Sequence, residues 1–145
     1  MDKLSKNYKM LVRNAWRLFY LSHGAWASSM AEAGLTSSSF SVLEMIVQHP
    51  GVTQQEIADK ISLDKSCTSR ACKALETDGF IRREKSSDAA HALRCHPTEK
   101  AAPVVEAIIE KESRHIHEMF EGENPAEMEK AIALLGHLIE QLQKE

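Results

Sequence analysis

Residues 53–79 read TQQEIADKISLDKSCTSRACKALETDG. The spacing predicts two short helices with a tight connection. Thr53 followed by Glu56 is a capping box, in which the hydroxyl accepts a free backbone N–H and the carboxylate reaches back to the cap. Ile57, Ala58 and Ile61 line one apolar stripe. Ser62-Leu63-Asp64 interrupts the run, and Asp64 is suited to cap the next helix. There Thr68, Ala71, Cys72 and Leu75 share one face, while Lys65, Ser66, Ser69, Arg70 and Lys73 take the other. Gly79 is a natural end. A small-residue inner face and a Lys/Ser/Arg outer face suit a DNA major groove: Arg can fork onto a guanine edge, and Ser and Lys can hold phosphates. A helical hairpin with a solvated basic face satisfies the same spacing.

The next residues favour the first reading. Phe80–Arg83 reads as a strand, Glu84–Asp88 as a turn, and Ala92–His96 as a returning strand. Two such helices followed by a hairpin make a winged helix-turn-helix. The chain here resembles the MarR family of bacterial transcription regulators, through LTSSSFSVLEMI (35–46), PGVTQQEIADKISLDKSCTSRACKALETDGFIRR (50–83), SSD (86–88) and PTEKA (97–101). The resemblance implies a homodimeric, ligand-responsive regulator, commonly a repressor, bound to double-stranded DNA. The candidate DNA-contacting set is Thr53, Gln54, Lys65, Ser66, Ser69, Arg70, Lys73, Lys85, Ser86, His91 and Arg94. It also suggests that an ion pair between Arg83 and Asp88 braces the hairpin.

Composition agrees with this class. The 145 residues are 43% hydrophobic and 27% charged, as expected of a single globular domain. No apolar run approaches the ~20 residues of a membrane span, and MDKLSKNYKM lacks the apolar core of a secretory leader. Three cysteines without paired spacing point to reduced thiols in the cytoplasm. The net charge of −3 hides an asymmetry. Residues 60–98 hold eight basic and five acidic side chains, a net of +3, whereas residues 99–145 hold five and eleven, a net of −6. The positive excess therefore coincides with the DNA-reading stretch, and the acidic far end would orient the protein on a polyanion.

In chain order, residues 4–32 predict one long helix. Leu4, Tyr8, Leu11, Ala15, Leu18 and Ser22 form a heptad-like seam, with a second apolar face of Trp16, Tyr20, His23, Ala27 and Met30. Phe40, Val42, Leu43, Met45, Ile46 and Val47 mark a nearly buried second helix. After the wing, Thr98 is a candidate cap for a helix carrying Val104, Ile108, Ile109, Ile116, Met119 and Phe120. Asn124-Pro125-Ala126-Glu127 starts the last helix, with Met128, Ile132, Leu135 and Leu142 down one side. The expected fold is mainly α: a DNA-binding lobe over 36–97, and a helical dimerisation region built from 1–33 and 98–145 that should pack together and against a second copy. An intramolecular bundle is the alternative use of those seams.

No catalytic or phosphate-binding motif is present, so the reading is a non-enzyme without a cofactor. The resemblance places an effector pocket between the dimer helices and the DNA-binding lobe. Trp16, Tyr20, His23, Trp26 and Phe40 could line it, with Arg114 or His117 nearby, and flat aromatic walls suit a small aromatic acid or phenol. Core packing explains the same residues. His23, His49, His115 and His117 could converge on zinc, as in metal-sensing members, although a spacing of two separates the last pair on a helix. Oxidant-sensing members use a cysteine in the first helix, which is absent here. Cys67, near a helix N-terminus with Lys65 close by, is the redox candidate. The alternative functions are therefore a redox- or metal-responsive regulator of the same fold, or a variant whose DNA binding is weakened by the loss of wing arginines.

The chain departs from the family at the wing tip. The family pattern is Asp, any residue, Arg, whereas this sequence reads Asp88-Ala89-Ala90-His91. The resemblance implies that the missing arginine would enter the minor groove, where narrow A·T-rich stretches concentrate negative potential. Ala90→Arg is expected to tighten operator binding and to steepen its salt dependence by roughly one phosphate equivalent per subunit. Titration of a labelled operator at several salt concentrations reads both. Unchanged affinity and slope would mean that this wing does not touch DNA.

Overall fold

A computed structural model describes residues 1–88 and 92–144, apart from the side chains of His23 and Ala25. Its elements are α1 (Lys3–Glu32), α2 (Ser37–Gln48), β1 (Val52–Thr53), α3 (Gln54–Ile61), α4 (Lys65–Thr77), β2 (Ile81–Lys85), β3 (Leu93–Pro97), α5 (Ala101–Met119) and α6 (Pro125–Leu142). The chain divides into two compact units, Met1–Glu112 and Ser113–Glu145. The first is mainly helical, with a small antiparallel sheet in the order β1-β3-β2.

The helix starts follow from local chemistry. Thr36 Oγ1 accepts from the Ser39 N–H at 3.1 Å. Thr53 Oγ1 accepts from the Glu56 N–H at 3.2 Å, and the Thr53 N–H donates to Glu56 Oε2 at 2.8 Å, which completes the capping box. Asp64 Oδ1 accepts from the Cys67 N–H at 2.8 Å, a bond that also holds its carboxyl below the usual range. Asn124 caps α6 through the Ala126 N–H at 3.0 Å, with Pro125 in the first turn. Thr98 behaves differently from the expected cap: its hydroxyl donates to the carbonyls of Gly79 and Phe80, and α5 begins only at Ala101.

The core of the first unit lies beneath α4. Thr68, Ala71, Cys72 and Leu75 are buried against Phe40, Val42, Leu43 and Ile46 of α2, Ile57 of α3 and Cys95 of β3. Each large aliphatic side chain sealed here contributes about 1.5–3 kcal/mol. Met45 and Val47 are half-buried, so α2 keeps a polar edge. α5 enters the core through Ala101, Val105 and Ile108. Thr68 is the one buried polar residue among those described, and its hydroxyl donates to the Asp64 carbonyl at 3.0 Å.

β2 and β3 pair from Ile81↔Pro97 to Lys85↔Leu93. β1 adds Val52↔Cys95 and Thr53↔Arg94, a strand too short to show a period in the sequence. The expected Arg83–Asp88 pair is not formed. Ile81 is buried and Arg82 exposed, so the two-residue period turns Arg83 inward toward α4. There Arg83 Nε and the Arg83 N–H each donate to Glu76 at 3.0 Å, Nη2 to Glu76 at 2.6 Å, and Nη1 to Gln54 Oε1 at 3.1 Å. Asp88 instead meets Arg94 at 3.4 Å.

The Arg83 bonds hold the Glu76 carboxyl below its ordinary value of 4.5. A depressed carboxylate adds stability that is present above its unfolded value and is lost as pH falls through the folded one. Glu76→Gln is expected to cost about 1 kcal/mol at neutral pH, a value discounted for solvent screening. Urea unfolding from neutral to acid pH should show the gap to wild type closing below the ordinary carboxylate range. A gap independent of pH would assign the loss to packing.

Candidate nucleic-acid interface

The outward face of α4 carries Lys65, Ser66, Ser69, Arg70 and Lys73, all exposed. Because Thr68, Ala71, Cys72 and Leu75 are sealed beneath, the helix cannot rotate without exposing its core face. Its approach is set by the turn after α3. Ser62 caps α3 in the left-handed conformation, with φ +53°, the one non-glycine residue there among those described. At the other end, Gly79 turns the chain with φ +77°. Lys100 crosses the face of Phe80 at 4.1 Å and donates to the Asp78 carbonyl at 2.8 Å, fixing the exit from α4.

The flanking residues divide into supports and exposed groups. Thr53 and Gln54 are half-buried at the start of α3. Thr53 is occupied by the capping box, and Gln54 offers its carbonyl to Arg83. A small hollow of about 140 Å³, lined by Thr53, Gln54, Gln55, Ala92 and Leu93, separates α3 from β3. Arg94 points into the wing base: Nη1 donates to the Gly51 carbonyl at 3.0 Å, Nε to Ser86 Oγ at 3.2 Å, and Nη2 to Asp88. Ser86 Oγ also accepts from the Asp88 N–H. Lys85 is exposed at the end of β2. Arg82 is exposed as well; it is absent from the expected DNA-contacting set, although alternation with Arg83 carries the signal for it. His91 lies outside the described residues, with Ala89 and Ala90.

A second concavity, of about 500 Å³, lies elsewhere on the same unit. Phe19, Trp26 and Met30 of α1 form one wall, and Phe40 and Met45 of α2 another; Ile61 and Leu63 close an end, and Ser37, Ser38, Ser41, Glu44 and Gln48 give the polar edge. Of the expected effector residues, Trp26 and Phe40 line it. Trp16 and Tyr20 instead stack on each other at 5.8 Å on an exposed face of α1 and do not line it. Arg114 and His117 are exposed on α5, in the second unit. The His23 side chain lies outside the described residues. Phe19 and Met30 carried a signal in their spacing: 19, 26 and 30 fall on one helical face.

Cys67 is half-buried, and its N–H is spent on the Asp64 cap. Cys72 and Cys95 are fully buried, and the neighbouring Cys72 thiol, together with burial, holds the Cys95 thiol far above the ordinary range. Among the described residues, no cluster of His, Cys, Asp and Glu could hold a metal, and no helix is long and apolar enough to cross a membrane.

The MarR family model matches residues 35–89, the span of α2 through β2 and into the wing. These residues form a MarR family domain. Members of that family are transcription regulators rather than enzymes. A curated relative, the uncharacterized HTH-type transcriptional regulator YybA of Bacillus subtilis (strain 168), is 29% identical over 105 residues, covering 72% of this chain and 69% of its own. Solved MarR structures share the fold. A MarR protein from Peptoclostridium difficile superposes with TM-score 0.83 at 23% identity, over 92% of this chain and 87% of its own. A putative MarR regulator from Listeria monocytogenes, solved with a 26mer DNA, gives 0.82 at 22% identity, over 90% and 87%.

Proposed function

We propose that the protein is a dimeric MarR repressor that reads a pseudo-palindromic operator with α4 and releases it when a small aromatic effector fills the cleft between α1 and α2. The observation that carries the DNA reading is the division of α4: one face sealed by Thr68, Ala71, Cys72 and Leu75, the other exposing Lys65, Ser66, Ser69, Arg70 and Lys73. The Listeria neighbour bound to DNA supports the same use of the fold. In this docking Arg70 reads a base edge, while Lys65, Lys73 and Lys85 face phosphates. Thr53 and Gln54 approach the backbone at the start of α3, and Ser86 and Arg94 support the wing that carries His91.

Dimerisation follows from the surfaces left uncovered. Leu4, Leu18 and Leu21 of α1 are exposed in the single chain, as are Ile132, Ile139 and Leu142 of α6. Burying them against a second copy would present two α4 helices to successive major grooves, about 34 Å apart. An effector acts by binding better to a spacing of the two lobes that mismatches the grooves.

Two experiments examine this reading. Arg70→Ala should reduce sequence discrimination, whereas Lys73→Ala should weaken all sequences evenly and lower the salt slope by about one for each phosphate no longer neutralised. Wild-type affinity in both variants would exclude α4 as the reader. Removal of residues 124–145 should yield a monomer by light scattering that no longer binds the operator, and a folded, dimeric, DNA-binding truncation would remove α6 from the interface.

A further inference from the structure

The cleft between α1 and α2 has an electrostatic character that its aromatic walls do not disclose. Its polar edge is set by Glu44 and Gln48, one turn apart on α2. Gln48 Nε2 donates to Glu44 Oε1 at 3.3 Å, which orients the carboxylate. No Lys or Arg is among the residues that line the cleft. Outside the lining but in the same unit, Glu112 of α5 is half-buried. Its carboxyl is pushed above the ordinary range, first by burial and then by the negative charge of Glu44. Neither Glu44 nor Glu112 takes part in an ion pair among the described residues, and the adjacent Lys111 is committed to Glu32 at 3.3 Å. The cleft thus carries the Glu44 carboxylate in its lining, with no Lys or Arg there, together with the indole of Trp26 and the ring of Phe40.

We propose that the cleft selects a small aromatic ammonium ion over an aromatic carboxylate, with the cationic head held by Glu44 and the ring system seated between Trp26 and Phe40. The proposal rests on the reading of this cleft as the effector site and narrows its ligand class. An organic cation supplies the missing counter-charge, and its head gains further from aromatic faces. A carboxylate entering the same cleft would bring a second negative charge beside Glu44 and leave it unpaired, a penalty that the three serine hydroxyls do not offset. A neutral aryl alcohol, able to use the serines but not the charge, should fall between them. At about 500 Å³ the cleft is of the size that takes a bicyclic aromatic group.

The experiment is calorimetric titration of the full chain with naphthylethylammonium, naphthylethanol and naphthylacetate, at about pH 8 where an unperturbed imidazole is neutral. Affinity should fall in that order, with at least about tenfold between the ends of the series. Glu44→Gln, which keeps shape and removes charge, should weaken the ammonium probe by roughly tenfold and narrow the preference. The proposal is overturned if the carboxylate binds as tightly as the ammonium, if none of the probes binds, or if Glu44→Gln leaves the ammonium affinity unchanged. Operator binding followed in the same samples separates the two readings: an ammonium that binds in the predicted order without releasing DNA supports the ligand class and removes the effector role of the cleft.

Discussion

The Arg83 guanidinium is the tie on which the candidate DNA-binding surface depends. It sits on β2, bonds Glu76 near the end of α4, and reaches Gln54 at the start of α3. One planar fork therefore fixes the angle between the two helices and the root of the wing. Its side chain is 17% exposed and that of Glu76 38%, so solvent screens the pair in part and its geometry is worth more than its Coulomb energy. A lysine in this place could hold one partner as a point charge but could not match three bonding directions at once.

The parts of this arrangement that were legible in the sequence are the local ones. The Thr53–Glu56 box, the Asp64 cap and the sealed face of α4 each depend on residues within a turn or two of one another. The partner of Arg83 was not legible, because its choice between Glu76 and Asp88 is decided by strand alternation and by how β2 lies against α4. Thr98 departs from expectation for a similar reason: a hydroxyl next to a proline before a helix looks like a cap, and only the tertiary fold brings the carbonyls of Gly79 and Phe80 within its reach. The cleft fell between these cases. Its expected α1 wall was Trp16, Tyr20, His23 and Trp26, whereas the α1 residues that line it are Phe19, Trp26 and Met30. On a helix that turns about 100° per residue, a shift of one position moves the expected face far enough to exchange Tyr20 for Phe19. The charge of the cleft was not visible at all, since Glu44 reads as the polar edge of a buried helix until α1 is laid against it.

The acidic residues of the DNA-binding region show how a chain with net charge −3 can still present a cationic surface. Of the five carboxylates in residues 60–98, four are engaged close by: Asp64 on the first turn of α4, Glu76 on Arg83, Glu84 at 2.8 Å from His96, and Asp88 on Arg94. The corresponding cations, Arg83 and Arg94, are turned inward as braces. Lys60, Lys65, Arg70, Lys73, Arg82 and Lys85 are in no ion pair among the described residues and, as exposed side chains, remain available to solvent or to phosphate. A count of net charge therefore understates the outward field, because the negative groups are spent near the backbone while the positive ones stand at the ends of long side chains. This division also bears on discrimination. The inward arginines set geometry and are indifferent to sequence, the lysines are point charges that track any phosphate backbone, and Arg70 alone combines a planar fork with a place in the middle of the exposed face of α4. In the proposed docking, base reading by this helix would depend on very few groups, and its precision would come from the braces that hold those groups still rather than from how many of them reach the DNA.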